Sequence, residues 1–159
     1  MAHAGRPCPL CKTPLAAKQL PQALGEQEPM QLALRDLPVL ECEKPHRHFV
    51  GQEFPMWLLN ALLEGELARI PAGTDKGLVF RKHTCGSCGA ELPSSAAGAR
   101  TFSAALSWKD SPGFTVDITV PLHRCDRCGR DQARSAAELA KLLPAALAHA
   151  FQGAGIKPG

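Results

Sequence analysis

Seven cysteines stand at positions 8, 11, 42, 85, 88, 125 and 128 of this 159-residue chain. Six of them form Cys-x-x-Cys pairs: Cys8-Pro-Leu-Cys11, Cys85-Gly-Ser-Cys88 and Cys125-Asp-Arg-Cys128. Two thiolates on one tight turn can reach a single ion at about 2.3 Å, and two such turns complete a tetrahedron. Cys85, Cys88, Cys125 and Cys128 therefore make a full four-thiolate set, with 36 residues between the pairs. Gly89 and Gly129 directly follow the second cysteines. A residue without Cβ takes positive φ there and lets backbone N–H groups point at sulfur. Disulfides fit poorly, because a cytoplasmic setting is expected and an odd count leaves one thiol over. A dithiol redox pair needs a βαβ context that the sequence does not show.

The first pair needs partners too. Cys42, separated from Cys11 by 30 residues, lies in Glu41-Cys42-Glu43-Lys44-Pro45-His46-Arg47-His48. Pro45 occupies the place of a fourth cysteine and cannot bind a metal. His46 gives a C-x3-H spacing and His48 a C-x5-H spacing, and both can close a Cys3His site. His46 is favoured, being one residue past the expected position. His48 is the alternative ligand, or else faces solvent or supports a ligand from behind. The metal set is thus Cys8, Cys11, Cys42 and His46 with Cys85, Cys88, Cys125 and Cys128, holding two structural zinc ions. His83 and His123, two residues before their knuckles, are expected to be surface histidines at strand ends; His3 and His149 carry no signal.

The elements that must position these ligands follow from periodicity. Leu37-Pro-Val-Leu-Glu-Cys42 and Val120-Pro-Leu-His-Arg-Cys125 each lead an apolar strand through a proline into a knuckle, 83 residues apart. Apolar helical patterns follow at 54–63 and 136–151. This suggests a duplicated small domain. With the cysteines superposed, Met30, Leu32 and Leu34 fall out of phase with Phe114, Val116 and Ile118, so a bulge or shifted register is required. In the second half, 78–83 reads as a short strand. Phe102 to Trp108 and Phe114 to Leu122 alternate around Lys109-Asp-Ser-Pro-Gly113, which predicts an antiparallel hairpin. Pro121 suggests an edge or bulge. Ser135-Ala-Ala-Glu138 is a capping box, the apolar stripe after it is expected to cover the hairpin face, and Pro144 should kink or restart the helix. In the first half, a weaker hairpin spans 14–34 with Leu20 to Pro29 as its polar connection. Pro55 opens a helix that Gly65 ends, apolar nearly all round and so expected to be buried between the units.

The predicted fold is small α+β: two zinc-ribbon-like units, each an antiparallel hairpin with zinc knuckles followed by a short helix. The expected divisions are a first unit at 1–64, a linker at 65–77, a second unit at 78–152 and a fraying tail at 153–159. A large single core is not expected, since aromatics make up 5% and Gly and Pro are spread along the chain.

The run C-P-x-C, a long spacer, then L-P-V-x-x-C resembles the YgiT-type zinc-finger domain, which forms the N-terminal half of certain bacterial antitoxins. The matching residues are Cys8-Pro-Leu-Cys11 and Leu37-Pro-Val-Leu-Glu-Cys42, and the theme recurs with Cys85, Cys88, Val120-Pro-Leu-His-Arg-Cys125 and Cys128. That family uses four cysteines where this chain has Pro45. The helix-turn-helix that gives those antitoxins their DNA binding is not found. The resemblance implies a bacterial protein whose zinc domain is structural and contacts a protein partner.

Charge bears on the partner. Formal net charge is +3, and Arg124, Arg127, Arg130 and Arg134 cluster around the last knuckle as candidate nucleic-acid contacts. Four thiolates with Zn²⁺ contribute about −2 and three thiolates with a neutral histidine about −1, so the metal-loaded total is near zero. A phosphate-binding surface would show a basic excess with interleaved aromatics. A protein partner is therefore favoured, with nucleic acid as the alternative; neither membrane nor small-molecule substrate is implied. No phosphate loop, nucleophile elbow or H-E-x-x-H occurs, and complete ligand sets leave no open metal position, so no catalytic residue is assigned.

Overall fold

In the computed structural model of the chain, residues 5–76 and 82–157 are described. The element order is β1 (Ala16–Gln27), β2 (Met30–Glu41), β3 (Arg47–His48), α1 (Phe54–Glu64), α2 (Glu66–Arg69), β4 (Thr74–Lys76) and β5 (Lys82–Thr84). There follow β6 (Gly98–Leu106), β7 (Phe114–Arg124), β8 (Asp131–Gln132), α3 (Ala136–Gly153) and β9 (Ile156–Lys157). The chain is small α+β, as expected. No helix among the described residues is long and apolar enough to cross a membrane. Most of the expected strand at 78–83 lies outside the described residues, which resume with β5.

β1 and β2 form a hairpin joined by Glu28 and Pro29 alone, paired from Ala16↔Glu41 to Gln27↔Met30. The expected polar connection from Leu20 is instead strand. Its inward positions are Leu20, Ala23 and Gly25, two of them too small to register as apolar periodicity. The phase irregularity lies at Asp36. The ladder skips Pro21 opposite Asp36, whose φ is 60°, and the buried set of β2 passes from Leu34 to Leu37 without a change of register.

β6 and β7 form the second hairpin, with Phe114, Val116, Ile118 and Val120 inward. The hairpins join through β2 and β7, where Gln31–Arg35 pairs antiparallel with Thr119–Thr115, so the two ribbon motifs share one sheet. Pro38 and Pro121, also 83 residues apart, stand just beyond this paired stretch. Neither can donate a ladder hydrogen bond, which fits the pairing stopping short of them. Because equivalent strands pair antiparallel, an approximate twofold relates the two hairpins. Its axis passes near Ala33 and Leu34.

The helices do not cover their own hairpins. α1 sets Phe54 and Trp57 against Trp108 and Phe114 at the tip of the second hairpin, with ring centroids 5.0–6.3 Å apart. α3 lies on β1 and β2 of the first hairpin, not on the hairpin that precedes it. This exchange corrects the expectation of two separate hairpin-plus-helix units. It rests on Gly25, where an added Cβ would lie 2.3 Å from the Ala146 carbonyl oxygen. Only half of the expected capping box forms: Ser135 Oγ accepts from the Glu138 N–H at 3.1 Å, but the Glu138 carboxylate turns to Arg134 instead of the Ser135 N–H, and the helix runs on through Pro144. α1 buries one face only, through Phe54, Leu58 and Leu62, and leaves Met56 61% exposed.

Within the expected linker at 65–77, the described residues are those up to 76. They carry α2 and β4, and the Ala133 N–H donates to the Pro71 carbonyl at 2.7 Å. The described part of the tail does not fray: Ile156 is buried and β9 pairs in parallel with β3. The expectation of no single large core also fails. One apolar cluster runs from Cys8 to Ile156 and gathers Phe49, Phe54, Trp57, Trp108, Phe114 and Phe151 from distant segments.

Candidate metal centres

Three of the four ligand turns share one backbone form. Lys12, Gly89 and Gly129 donate their N–H to the carbonyls of Cys8, Cys85 and Cys125 at 2.8–3.0 Å. The N–H groups of those cysteines in turn donate to Thr13, Ala90 and Arg130 at 2.7–2.9 Å. Closing the turn requires positive φ at its fifth residue, and φ is 67° at Lys12, 76° at Gly89 and 79° at Gly129. The fourth turn is tighter. Cys42 N–H donates to the His46 carbonyl at 3.2 Å, and β3 starts at the next residue. In the second half β8 starts three residues after Cys128. A shorter turn leaves no room for a second cysteine knuckle, and the longer imidazole spans the gap.

The ligand atoms of Cys8, Cys11, Cys42 and His46 lie within 4.8 Å of one another, as do those of Cys85, Cys88, Cys125 and Cys128. A tetrahedral zinc would set sulfurs about 3.8 Å apart and a sulfur and imidazole nitrogen about 3.6 Å apart. Cys85 Sγ is 3.6 Å from Cys128 Sγ, and Cys88 Sγ is 3.5 Å from Cys125 Sγ. In the first cluster Cys11 and Cys42 sulfurs are 3.5 Å apart, while His46 Nδ1 lies 3.6 Å from Cys8 Sγ and 3.3 Å from Cys42 Sγ. Both clusters match the edges of a tetrahedron.

Electrostatics favours a cation in each. Backbone N–H at Cys88, then the Gln132 amide, hold the Cys85 thiol down to about 5. Cys125 is lowered chiefly by the backbone N–H of Cys128. Cys128 is pushed up to about 11: the Arg130 N–H lowers it, but its thiol neighbours, Cys85 foremost, and burial outweigh that. In the first cluster the Thr13 hydroxyl and N–H bring Cys11 down to about 6, whereas burial raises Cys8. Thiolates this close oppose one another's ionisation. A cation placed between them offsets that repulsion.

His48 is not within the four-ligand group. It is buried, its Nε2 lies 3.5 Å from Cys8 Sγ, and its Nδ1 meets no hydrogen-bond partner among the described residues. Burial first, with His46 and Lys157 adding, holds its imidazole below the usual range. His123 is not a surface residue: it is 5% exposed and its Nδ1 lies 2.9 Å from the Pro93 carbonyl. His83 Nδ1 meets Asp75 at 2.7 Å, and His149 Nδ1 accepts from the Glu26 N–H at 2.9 Å. Gln132, which the sequence did not single out, is fully buried with its Nε2 3.2 Å from Cys85 Sγ. Superposing the cysteines would not have pointed to it, because His48 then falls on Asp131; the ladder pairing alone brings Gln132 into the matching place.

The arginines around the last knuckle are largely engaged. Arg124 pairs with Asp131 at 3.0 Å, Arg134 grips Glu138 at 2.7 Å, and Arg130 donates to Ser87. Arg127 is exposed. The first site sits in the main core through Cys8 and Cys42; the second forms its own small cluster with Leu92 and Ala90. A scan against protein-family models, a search of curated proteins and a search of solved structures each found no match to this chain.

Proposed function

We propose that this is a zinc-binding protein of structural, non-enzymatic type, built from two zinc-ribbon-like units and presenting a surface to a protein partner. The observation that carries it is the spacing of two complete four-ligand sets on tetrahedral edges. Each set ties a knuckle distant in the chain to the end of a long strand, so the binding free energy of the ion becomes folding free energy. Four protein ligands close the coordination sphere, which is the pattern of structural rather than catalytic zinc. The assay is metal analysis of the purified protein. Two zinc ions per chain are expected, falling to one when the cysteines of either site are replaced. Absence of bound metal, with melting indifferent to a strong chelator, would overturn the reading.

The engaged arginines support a protein partner over nucleic acid, since groups already paired lose those bonds on meeting phosphate. Leu10, Leu24 and Met56 are exposed apolar side chains of the sort that protein contacts cover. A nucleic-acid interface centred on Arg127 is the second reading. Salt-dependent retention on DNA or RNA, abolished by replacing Arg124, Arg127, Arg130 and Arg134 with alanine, would select it. The spacing of Cys8, Cys11 and Cys42 supports kinship with the YgiT-type zinc fingers of bacteria, and a cytoplasmic setting is part of the same proposal.

A further inference from the structure

The two metal clusters differ in ligands but share a feature on their return strands. Leu40 pairs with His48 in β3, and His123 pairs with Gln132 in β8; Leu40 and His123 each stand two residues before a ligand cysteine. His48 and Gln132 therefore occupy equivalent positions under the internal twofold. Both are buried, at 4% and 0% exposure. Each brings a side-chain nitrogen across its site to the first cysteine of the opposite knuckle: His48 Nε2 to Cys8 Sγ at 3.5 Å, and Gln132 Nε2 to Cys85 Sγ at 3.2 Å.

We infer that His48 and Gln132 are paired positioning residues, each donating an N–H···S hydrogen bond that orients a ligand sulfur and sets the metal affinity of its site. The inference rests on the metal-binding reading above. The direction of each bond is fixed by what the sulfur can do. A metal-bound thiolate only accepts, so the facing nitrogen must carry the proton. At Gln132 the other end of the amide confirms this orientation, because its Oε1 accepts from the Gly86 N–H at 2.9 Å and a flipped amide would lose that bond. At His48 the proton on Nε2 leaves Nδ1 as a buried lone pair, which agrees with its having no partner. Neutral donors suit the role: they draw charge from the sulfur without adding a cation that would compete with the metal. The two sites are thereby unequal. The amide is anchored at both ends, while the imidazole is held at one.

The test uses the full chain with Zn²⁺ and with Co²⁺ as a spectroscopic stand-in. His48→Phe keeps a ring of similar shape and removes the donor. Competition with a chromophoric chelator should show about 10- to 100-fold weaker zinc binding at one of the two sites. The sulfur-to-cobalt charge-transfer band of that site should move to lower energy, since a sulfur relieved of its hydrogen bond gives up charge more readily. Gln132→Met should do the same at the other site. His48→Gln, which installs the amide used in the second half, should restore affinity to within about threefold of native. Native affinity and an unmoved band in both His48→Phe and Gln132→Met would overturn the inference while leaving two bound metals. A protein that takes up neither metal would instead sink the metal-binding reading itself. Should His48→Phe not fold, His48→Gln decides: loss of metal from that variant refutes the equivalence.

Discussion

Replacing Gly25 with alanine tests whether α3 belongs on the first hairpin. The added Cβ would sit 2.3 Å from the Ala146 oxygen, 2.6 Å from the Ala150 nitrogen and 2.7 Å from its Cβ, against an ordinary contact of 3.4–4 Å. Two of these neighbours are backbone atoms that no rotamer change can move, so the helix must lift by about 1 Å. The large side chains it buries are Leu139, Leu143, Leu147 and Phe151. Each contributes about 1.5–3 kcal/mol, and a gap near 1 Å forfeits roughly a quarter to a half of close-contact attraction. Part of the gap closes by relaxation. The expected cost is about 3 kcal/mol, at the upper end for overpacking. In a domain of this size that lowers the melting temperature by about 6–12 °C, read by circular dichroism in zinc-saturated buffer. Gly98→Ala is the control, because nothing lies within 4 Å of its Cβ position; it should stay within about 0.5 kcal/mol. A Gly25→Ala protein melting within about 2 °C of native would refute the close approach of α3 to β1.

Four further outcomes follow from the same structure. Lys12→Gly should raise stability by about 0.5 kcal/mol, since Lys12 holds φ of 67° where the other knuckles have glycine; a lower melting temperature would contradict this. Cys42→Ser should lower global melting far more than Cys125→Ser, because Cys42 belongs to the main core and Cys125 to the small satellite cluster. Hydrogen exchange in Cys125→Ser should speed up around 85–92 and 125–132 and stay slow in β2, and uniform loss of protection would argue otherwise. Ile156→Ala should cost about 2 kcal/mol by emptying a buried site that docks β9 on β3, whereas an unchanged melting curve would mean a loose tail.

Much of the chemistry was legible because it is local. A Cys-x-x-Cys turn needs only its own few residues, so the knuckles at 8–11, 85–88 and 125–128, the helix N-cap at Ser135 and the alternation of 114–122 could all be read from spacing. The phase slip between the halves was also readable, and Asp36 is where the backbone accommodates it. His46 against His48 could not be settled in this way. The choice turns on how closely β3 follows Cys42, which depends on pairing with Leu40 and Glu41.

Whatever required distant segments to meet was hidden. The later part of β1 looked like a connection because its inward residues Ala23 and Gly25 are small, and at Gly25 α3, more than a hundred positions later, leaves no room for a side chain. Aromatics thinly spread in sequence converge into one cluster once α1 crosses to the second hairpin and α3 to the first. α3 reaches the first hairpin, and α1 the aromatic tip of the second, because β2 and β7 join edge to edge and bring the two halves together. Local patterns specify strands, turns and ligands. Side-chain volume and sheet pairing across the twofold specify which of them touch.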